Sequence, residues 1–156
     1  MNTTPQPVLD EAAQQTLQEI RSAEEKLMDH HSIALTACKN VRESIFKDDE
    51  ALNIRTLDDD PQVVVASYRE TSVRFQLFLG VAANGQAVGR IVCSHQYNFH
   101  GKLRFKYLGE FTIRTDGRTN FAPGADGRTR FIAPSADLIV AHFLKKAYEN
   151  NLSLTE

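Results

Sequence analysis

Apolar side chains in the second half of the chain recur at alternate positions. Runs such as VRFQLFLG (73–80) and LRFKYLGEFTI (103–113) have the period of a strand with one buried face. The turn signals Asn84-Gly85, His100-Gly101 and Asp116-Gly117 stand 16 residues apart, the spacing of an antiparallel meander. The pattern predicts strands near 62–69, 73–83, 86–98 and 102–115, and a short one near 128–133.

The first half has the longer period of a helix. Ala13, Leu17, Ile20, Leu27, Ala34, Cys38, Val41 and Ile45 keep a spacing of mostly three or four residues, interrupted by Glu24 and His31. Pro7 suits a first helical position, Asp10 and Glu11 suit the first turn, and Glu43 and Lys47 form a favourable i,i+4 pair. The helical region is therefore expected over 7–47. A break near Asp29-His30-His31-Ser32, with Asp29 or Ser32 capping a second helix, is expected to fold it into a hairpin; the alternative is one long helix. Residues 48–61 read as an acidic connector. After Pro134, a C-terminal helix is expected over 136–150, with Ser135 as its N-cap and Leu138, Ile139, Phe143, Leu144 and Ala147 on its apolar face.

These elements define an α+β fold: an N-terminal helical hairpin or single long helix, a four- to five-stranded antiparallel meander, and a C-terminal helix packed on one sheet face. One domain is expected over 1–156. It comprises an acidic helical segment with its connector (1–61), the sheet (62–134) and the C-terminal helix (135–156).

Strand register decides which residues are buried. Two-residue turns at 84–85 and 100–101 would pair odd positions with even ones and mix Arg90, Ser94 and Gln96 with Leu79, Phe75 and Phe105. Three-residue loops ending in a glycine bulge put all odd positions on one face, and the hydrophobic pattern favours that choice. The expected core face is Val73, Phe75, Leu77, Leu79, Val81, Ile91, Cys93, Tyr97, Leu103, Phe105, Tyr107, Phe111 and Ile113. The opposite face then carries Arg74, Arg90, Arg104, Lys106 and Arg114 around Phe78, Val88, Val92 and Leu108. An apolar centre rimmed by cations is the composition of a contact surface; the plainer reading is that another helix covers it.

The chain has 156 residues, 42% hydrophobic and 24% charged, enough to bury about 70% of its unfolded surface without disulfides or a structural metal. No stretch reaches the roughly 20 apolar residues of a membrane helix. The opening MNTTPQPVLDEAAQQ lacks the features of a secretory signal, so a cytoplasmic protein that does not enter membranes is expected. Cys38 and Cys93 form no CxxC pair and are expected to be reduced thiols.

Charge changes the picture more than composition does. The formal net charge is −2, yet residues 1–62 hold 6 Lys+Arg against 13 Asp+Glu, whereas residues 86–134 hold 8 against 3. Such asymmetry suits an anionic partner or self-association.

No motif names a reaction, cofactor or metal. Cys93 and His95 share a strand face, and with Tyr97 and His142 they form a candidate pocket lining. The plainer reading makes Cys93 a small core residue and His95 a hydrogen-bonded histidine at the sheet rim. The repeat DGRTNF (116–121) and DGRTRF (126–131) offers two candidate anion-binding loops, through Arg118 and Thr119 and through Arg128 and Thr129; two successive hairpin turns are the simpler explanation. FHGKLRFKY (99–107) has the composition of a base-stacking surface, but in the expected register Phe105 and Tyr107 face away from Lys102, Arg104 and Lys106.

The expected function is a non-enzymatic protein-binding or adaptor module. Its sheet face of Arg74, Phe78, Arg90, Val92, Arg104, Lys106, Leu108 and Arg114 would dock an acidic protein, and its N-terminal helices would form a homodimer. The alternatives are a nucleic-acid binder using the same face with the DGRT loops, and a small-molecule-binding roll or enzyme with a Cys/His-lined pocket.

Overall fold

The computed structural model describes residues 10–36, 52–57, 59–122 and 130–153. Pro7, Cys38, the Glu43–Lys47 pair, Arg128 and Thr129 lie outside the described residues. Helix α1 (Glu11–Thr36) leads into β1 (Leu52–Leu57), β2 (Asp60–Tyr68), β3 (Thr71–Val81), β4 (Ala87–Phe99), β5 (Lys102–Arg114), β6 (Arg118–Thr119) and β7 (Arg130–Phe131), and helix α2 (Ile132–Ser153) follows. The strands form one antiparallel sheet in sequence order. The α+β class holds, with seven strands among the described residues in place of the expected four or five.

Three expectations are corrected. First, α1 runs unbroken through residues 29–32. Ser32 Oγ donates to Met28 O, 3.0 Å, inside the helix and does not cap a new one. The adjacent histidines, about 100° apart on a helix, take different partners: His30 Nε2 donates to Thr115 O and His31 Nε2 to Gln62 O, each at 2.9 Å. Asp10 is the N-cap, its Oδ1 accepting from Ala13 N at 2.7 Å. Second, part of the supposed acidic connector is strand β1, whose sequence LNIRTL brings Ile54 against the core. Third, α2 begins at Ile132. Pro134 is tolerated in its first turn, where no intrahelical N–H partner is lost, and Ser135 is buried within the helix instead of capping it.

Both helices cover one face of the sheet. Leu27, Ala34 and Leu35 of α1 and Ile139, Val140, Phe143, Leu144 and Ala147 of α2 bury against Val73, Phe75, Leu77, Ile91, Cys93, Phe111 and Ile113. Phe143 is the centre of this layer, meeting Phe75 edge-on at 5.9 Å, Phe111 stacked at 6.1 Å and Phe121 at 6.0 Å. The first half of α1 carries no buried residue between Glu11 and Lys26. Its stripe continues there as exposed Leu17 and Ile20.

The register expected from the glycine turns holds at one hairpin and fails at the next. Ala82 N donates to Gln86 O, 2.8 Å, leaving the three-residue loop Ala83-Asn84-Gly85 with Gly85 at φ +84°. Odd residues of β3 consequently face odd residues of β4, as in Phe75 opposite Cys93. The β4–β5 turn is instead the two-residue His100-Gly101, both at positive φ (52° and 76°), with Phe99 opposite Lys102. From this turn to Ser94–Tyr107, odd faces even. Beyond the irregularity at Cys93/Ser94, where Leu108 is the extra residue, Cys93 faces Gly109 and parity is restored. Leu103, Phe105 and Tyr107 therefore leave the expected core face for the outer one. Arg104 and Lys106 move to the helix-bearing side, and Leu108 packs against the core.

Candidate functional site

The register shift sorts the hairpin β4–β5 into two surfaces. On the outer face, the described positions of β3–β5 hold Arg74, Arg90 and Arg114, one carboxylate, Glu110, and no lysine. Phe78, Leu103, Phe105 and Tyr107 are 47 to 56% exposed among them. Large apolar groups this exposed, beside arginines on one sheet face, make the type of surface that marks an interaction site.

The polar groups of that patch are already engaged with its rings. Arg90 Nε pairs with Glu110 Oε2 at 2.7 Å, and its guanidinium lies 5.8 Å from the Phe78 ring centre. Tyr107 OH donates to Glu110 Oε1 at 2.9 Å, and this bond to a carboxylate pushes the phenol above its usual pKa. Arg74 lies 5.3 Å from the Phe105 ring centre. Cations held over ring faces keep their charge while presenting a flat, ordered surface. Val92, at the middle of the face, is only partly exposed.

On the inner side, Tyr97 faces Arg104, His95 faces Lys106 and Phe99 faces Lys102. The sheet edge there and the end of α2 enclose an open cleft of about 800 Å³ lined by Arg69, Glu70, Tyr97, Asn98, Tyr148 and Asn151, with Thr71 beside them. Asn151 Nδ2 donates to Thr71 Oγ1 at 3.0 Å, and Tyr148 OH donates to Tyr68 O at 3.3 Å. Arg69 holds the turn between β2 and β3 at φ +55° and lies 5.2 Å from the Tyr68 ring centre. His95 is fully buried and its ring lies against that of Tyr97, centroids 5.0 Å apart. Asn150 Nδ2 donates to its Nδ1 at 2.7 Å, which leaves the ring proton on Nε2, a buried atom with no hydrogen-bond partner among the described residues. Burial lowers the His95 pKa.

The four candidate pocket residues separate. His95 and Tyr97 adjoin the cleft, whereas Cys93 is a fully buried core thiol whose pKa is pushed well up, first by burial and then by Glu110. His142 sits two turns of α2 before Asn150, edge-on to Phe121 at 5.3 Å. Its pKa is lowered by burial, with Lys146 and Lys145 adding to the effect. No group of three or more His, Cys, Asp or Glu side chains suited to a metal occurs among the described residues.

The first DGRT copy is a closed turn. Gly117 N donates to Arg114 O at 2.9 Å, and Asp116 Oδ1 accepts from Arg118 N at 3.0 Å while its Oδ2 pairs with Arg118 Nε at 3.3 Å. Thr119 is buried, its hydroxyl accepting from Phe121 N at 3.1 Å. Gly117, at φ +89°, packs so tightly on His30 that a Cβ there would stand 3.1 Å from His30 Cε1. These contacts fasten the turn to α1.

Leu103, Phe105 and Tyr107 on the outer face, and Arg69, Asn98, Tyr148 and Asn151 at the cleft, escaped the sequence reading, whereas the Arg90–Glu110 pair was expected from it. The signal for the first group was present: His100-Gly101 is a two-residue turn type, and an isolated glycine within a strand, Gly109, marks a bulge. Compared with known protein families, curated proteins and solved structures, the chain has no match in any of the three. Its functional reading therefore rests on these two surfaces.

Proposed function

We propose that this protein is a non-enzymatic binding module that docks an acidic protein partner on the outer face of β3–β5. The supporting observation is the company of exposed Phe78, Leu103, Phe105 and Tyr107 with Arg74 and Arg90, without lysine. Aromatic residues and arginine are enriched at protein interfaces and lysine is depleted. Three arginines against one glutamate favour a negatively charged partner. The docking residues are thus Arg74, Phe78, Arg90, Val92, Leu103, Phe105, Tyr107 and Arg114, while Arg104, Lys106 and Leu108 fall outside the face.

A photo-crosslinking residue at position 105, used in extract of the native host, tests this reading. A discrete protein adduct that disappears in Arg74→Glu/Arg90→Glu and persists in Arg104→Glu is expected. An adduct indifferent to the outer-face arginines contradicts it.

A second reading, single-stranded nucleic acid on the same face, is favoured by one observation: Phe105 and Tyr107 share that face with arginines. They stand two residues apart, about 6.7 Å along a strand, a spacing that suits successive stacked bases. Anisotropy of a labelled oligonucleotide that falls steeply with salt would promote it over protein docking.

Self-association belongs to the overhanging first half of α1. Leu17 and Ile20 are exposed there, and Ile20 lines a cleft of about 670 Å³ with Val81 and Ala87. Leu17→Glu/Ile20→Glu is expected to abolish a dimer seen by sedimentation velocity; a dimer that survives it uses another surface.

A further inference from the structure

We infer that the inner cleft at the end of the β4–β5 hairpin is a binding site for a nucleoside phosphate. The hairpin register brings together two groups that are far apart in a regular alternation: the cations Lys102, Arg104 and Lys106, and the ring-bearing side chains His95, Tyr97 and Phe99, on the same side of the sheet. The cleft beside them, about 800 Å³, is within the roughly 300–1,000 Å³ of small-ligand sites.

Each part of such a ligand has a counterpart. Tyr97 and Tyr148 supply aromatic surface for a base. The Tyr97 ring is backed by His95, and Tyr148 is tied to Tyr68 O, so neither ring must be ordered anew on binding. Asn151 brings an amide suited to a base edge, and Glu70 brings a carboxylate suited to sugar hydroxyls. For the phosphates, Arg69 lines the cleft itself, and Arg104, opposite Tyr97, and Lys106, opposite His95, stand next to it on the same side of the sheet. Cations outnumber carboxylates on this side of the hairpin: Lys102, Arg104, Lys106 and Arg69 stand against Glu70. An uncharged ring compound would leave the cations unused, and inorganic phosphate would leave the tyrosines and the amide unused. The site is separate from outer-face docking in its rings and cations, since Tyr97, Tyr148, Arg104 and Lys106 lie off that face; Asn98, opposite Leu103, is at the border of the two.

Titration of the full chain with ATP, adenosine and inorganic pyrophosphate, read by isothermal calorimetry, tests the site. ATP is expected to bind, with adenosine and pyrophosphate each weaker by at least about tenfold. Arg104→Glu/Lys106→Glu is expected to weaken ATP by at least about tenfold, with Arg21→Gln on α1 unchanged. In Tyr97→Leu, ATP is expected to fall to the level of pyrophosphate. Since Tyr97 also packs on His95, this variant is compared with Asn151→Ala, which leaves that packing intact and is expected to weaken ATP without affecting pyrophosphate. Absence of ATP binding at about 1 mM, pyrophosphate binding as tightly as ATP, or indifference of ATP to Arg104→Glu/Lys106→Glu each overturns the inference.

Discussion

The two halves of β5 carry the same alternation of apolar and polar residues and turn opposite sets toward the helices. After the bulge, Phe111 and Ile113 face the helices and are buried. Before it, Phe105 and Tyr107 face outward and are half exposed. The difference lies in one unpaired residue, Leu108, and in the glycine after it. Gly109 has φ +155°, and a Cβ there would stand 3.2 Å from Phe143 Cε1. Lys146 Nζ donates to Leu108 O at 3.3 Å, fastening the bulge beneath α2. Helix cover thus decides which half of the strand is core, and the bulge decides which side chains the uncovered half displays.

The largest test of this contrast is truncation of one ring from each half. Phe111→Ala is expected to lower unfolding free energy by about 3–5 kcal/mol, the cost of a large cavity among Phe121, Phe143 and Ile113. Phe105→Ala, which removes an exposed ring, is expected to cost less than about 1 kcal/mol. Urea unfolding of both variants checks this; equal losses would mean that the outer half is core as well.

Acid is expected to attack the covered side. His31 is fully buried, and burial outweighs its hydrogen bond to Gln62 O and lowers its pKa from 6.5 to about 4. The unfolded chain therefore binds a proton below about pH 6.5 that the folded protein refuses until about pH 4, so stability falls as pH falls through that window. The full effect is about 3 kcal/mol, and the lowered pKa values of His95 and His142 act in the same direction. His31→Gln is expected to flatten the pH dependence of urea unfolding between pH 6.5 and 4, even if it lowers the plateau at neutral pH.

A smaller effect is expected at the bulge. Gly109→Ala combines a backbone angle that side chains disfavour with the approach of Phe143, and is expected to cost about 1–3 kcal/mol. It is also expected to disturb the backbone amide signals on both sides of Leu108. The smallest effect belongs to Arg90→Ala: its pair with Glu110 is exposed and contributes about 0.5 kcal/mol or less. That variant is expected to keep its thermal midpoint while losing the outer-face adduct.

Much of the fold was legible in the chain. Alternation gave β2 to β5, the Asn84-Gly85 loop gave the register of β3 with β4, and the core positions Val73, Phe75, Leu77, Ile91, Cys93, Phe111 and Ile113 followed from it. What escaped has physical reasons. β1 is six residues long and is flanked by acidic residues that read as a connector. The histidine pair in α1 resembles a helix break until strand partners such as Gln62 O are known. The outer face escaped because one register was applied to the whole of β5, although its two-residue turn and internal glycine require two. The cleft was the least legible part, since it joins the β2–β3 turn, β4 and the end of α2, residues from 69 to 151, and no local pattern encodes that meeting.

The most direct measurement is the set of cross-strand nuclear Overhauser contacts between the backbones of β4 and β5. Gln96 opposite Phe105 and Asn98 opposite Leu103, changing to Cys93 opposite Gly109 beyond the bulge, is the expected result. Contacts placing Tyr97 opposite Phe105 and His95 opposite Tyr107 would return both rings to the helix side, and would contradict the outer face and the inner cleft together.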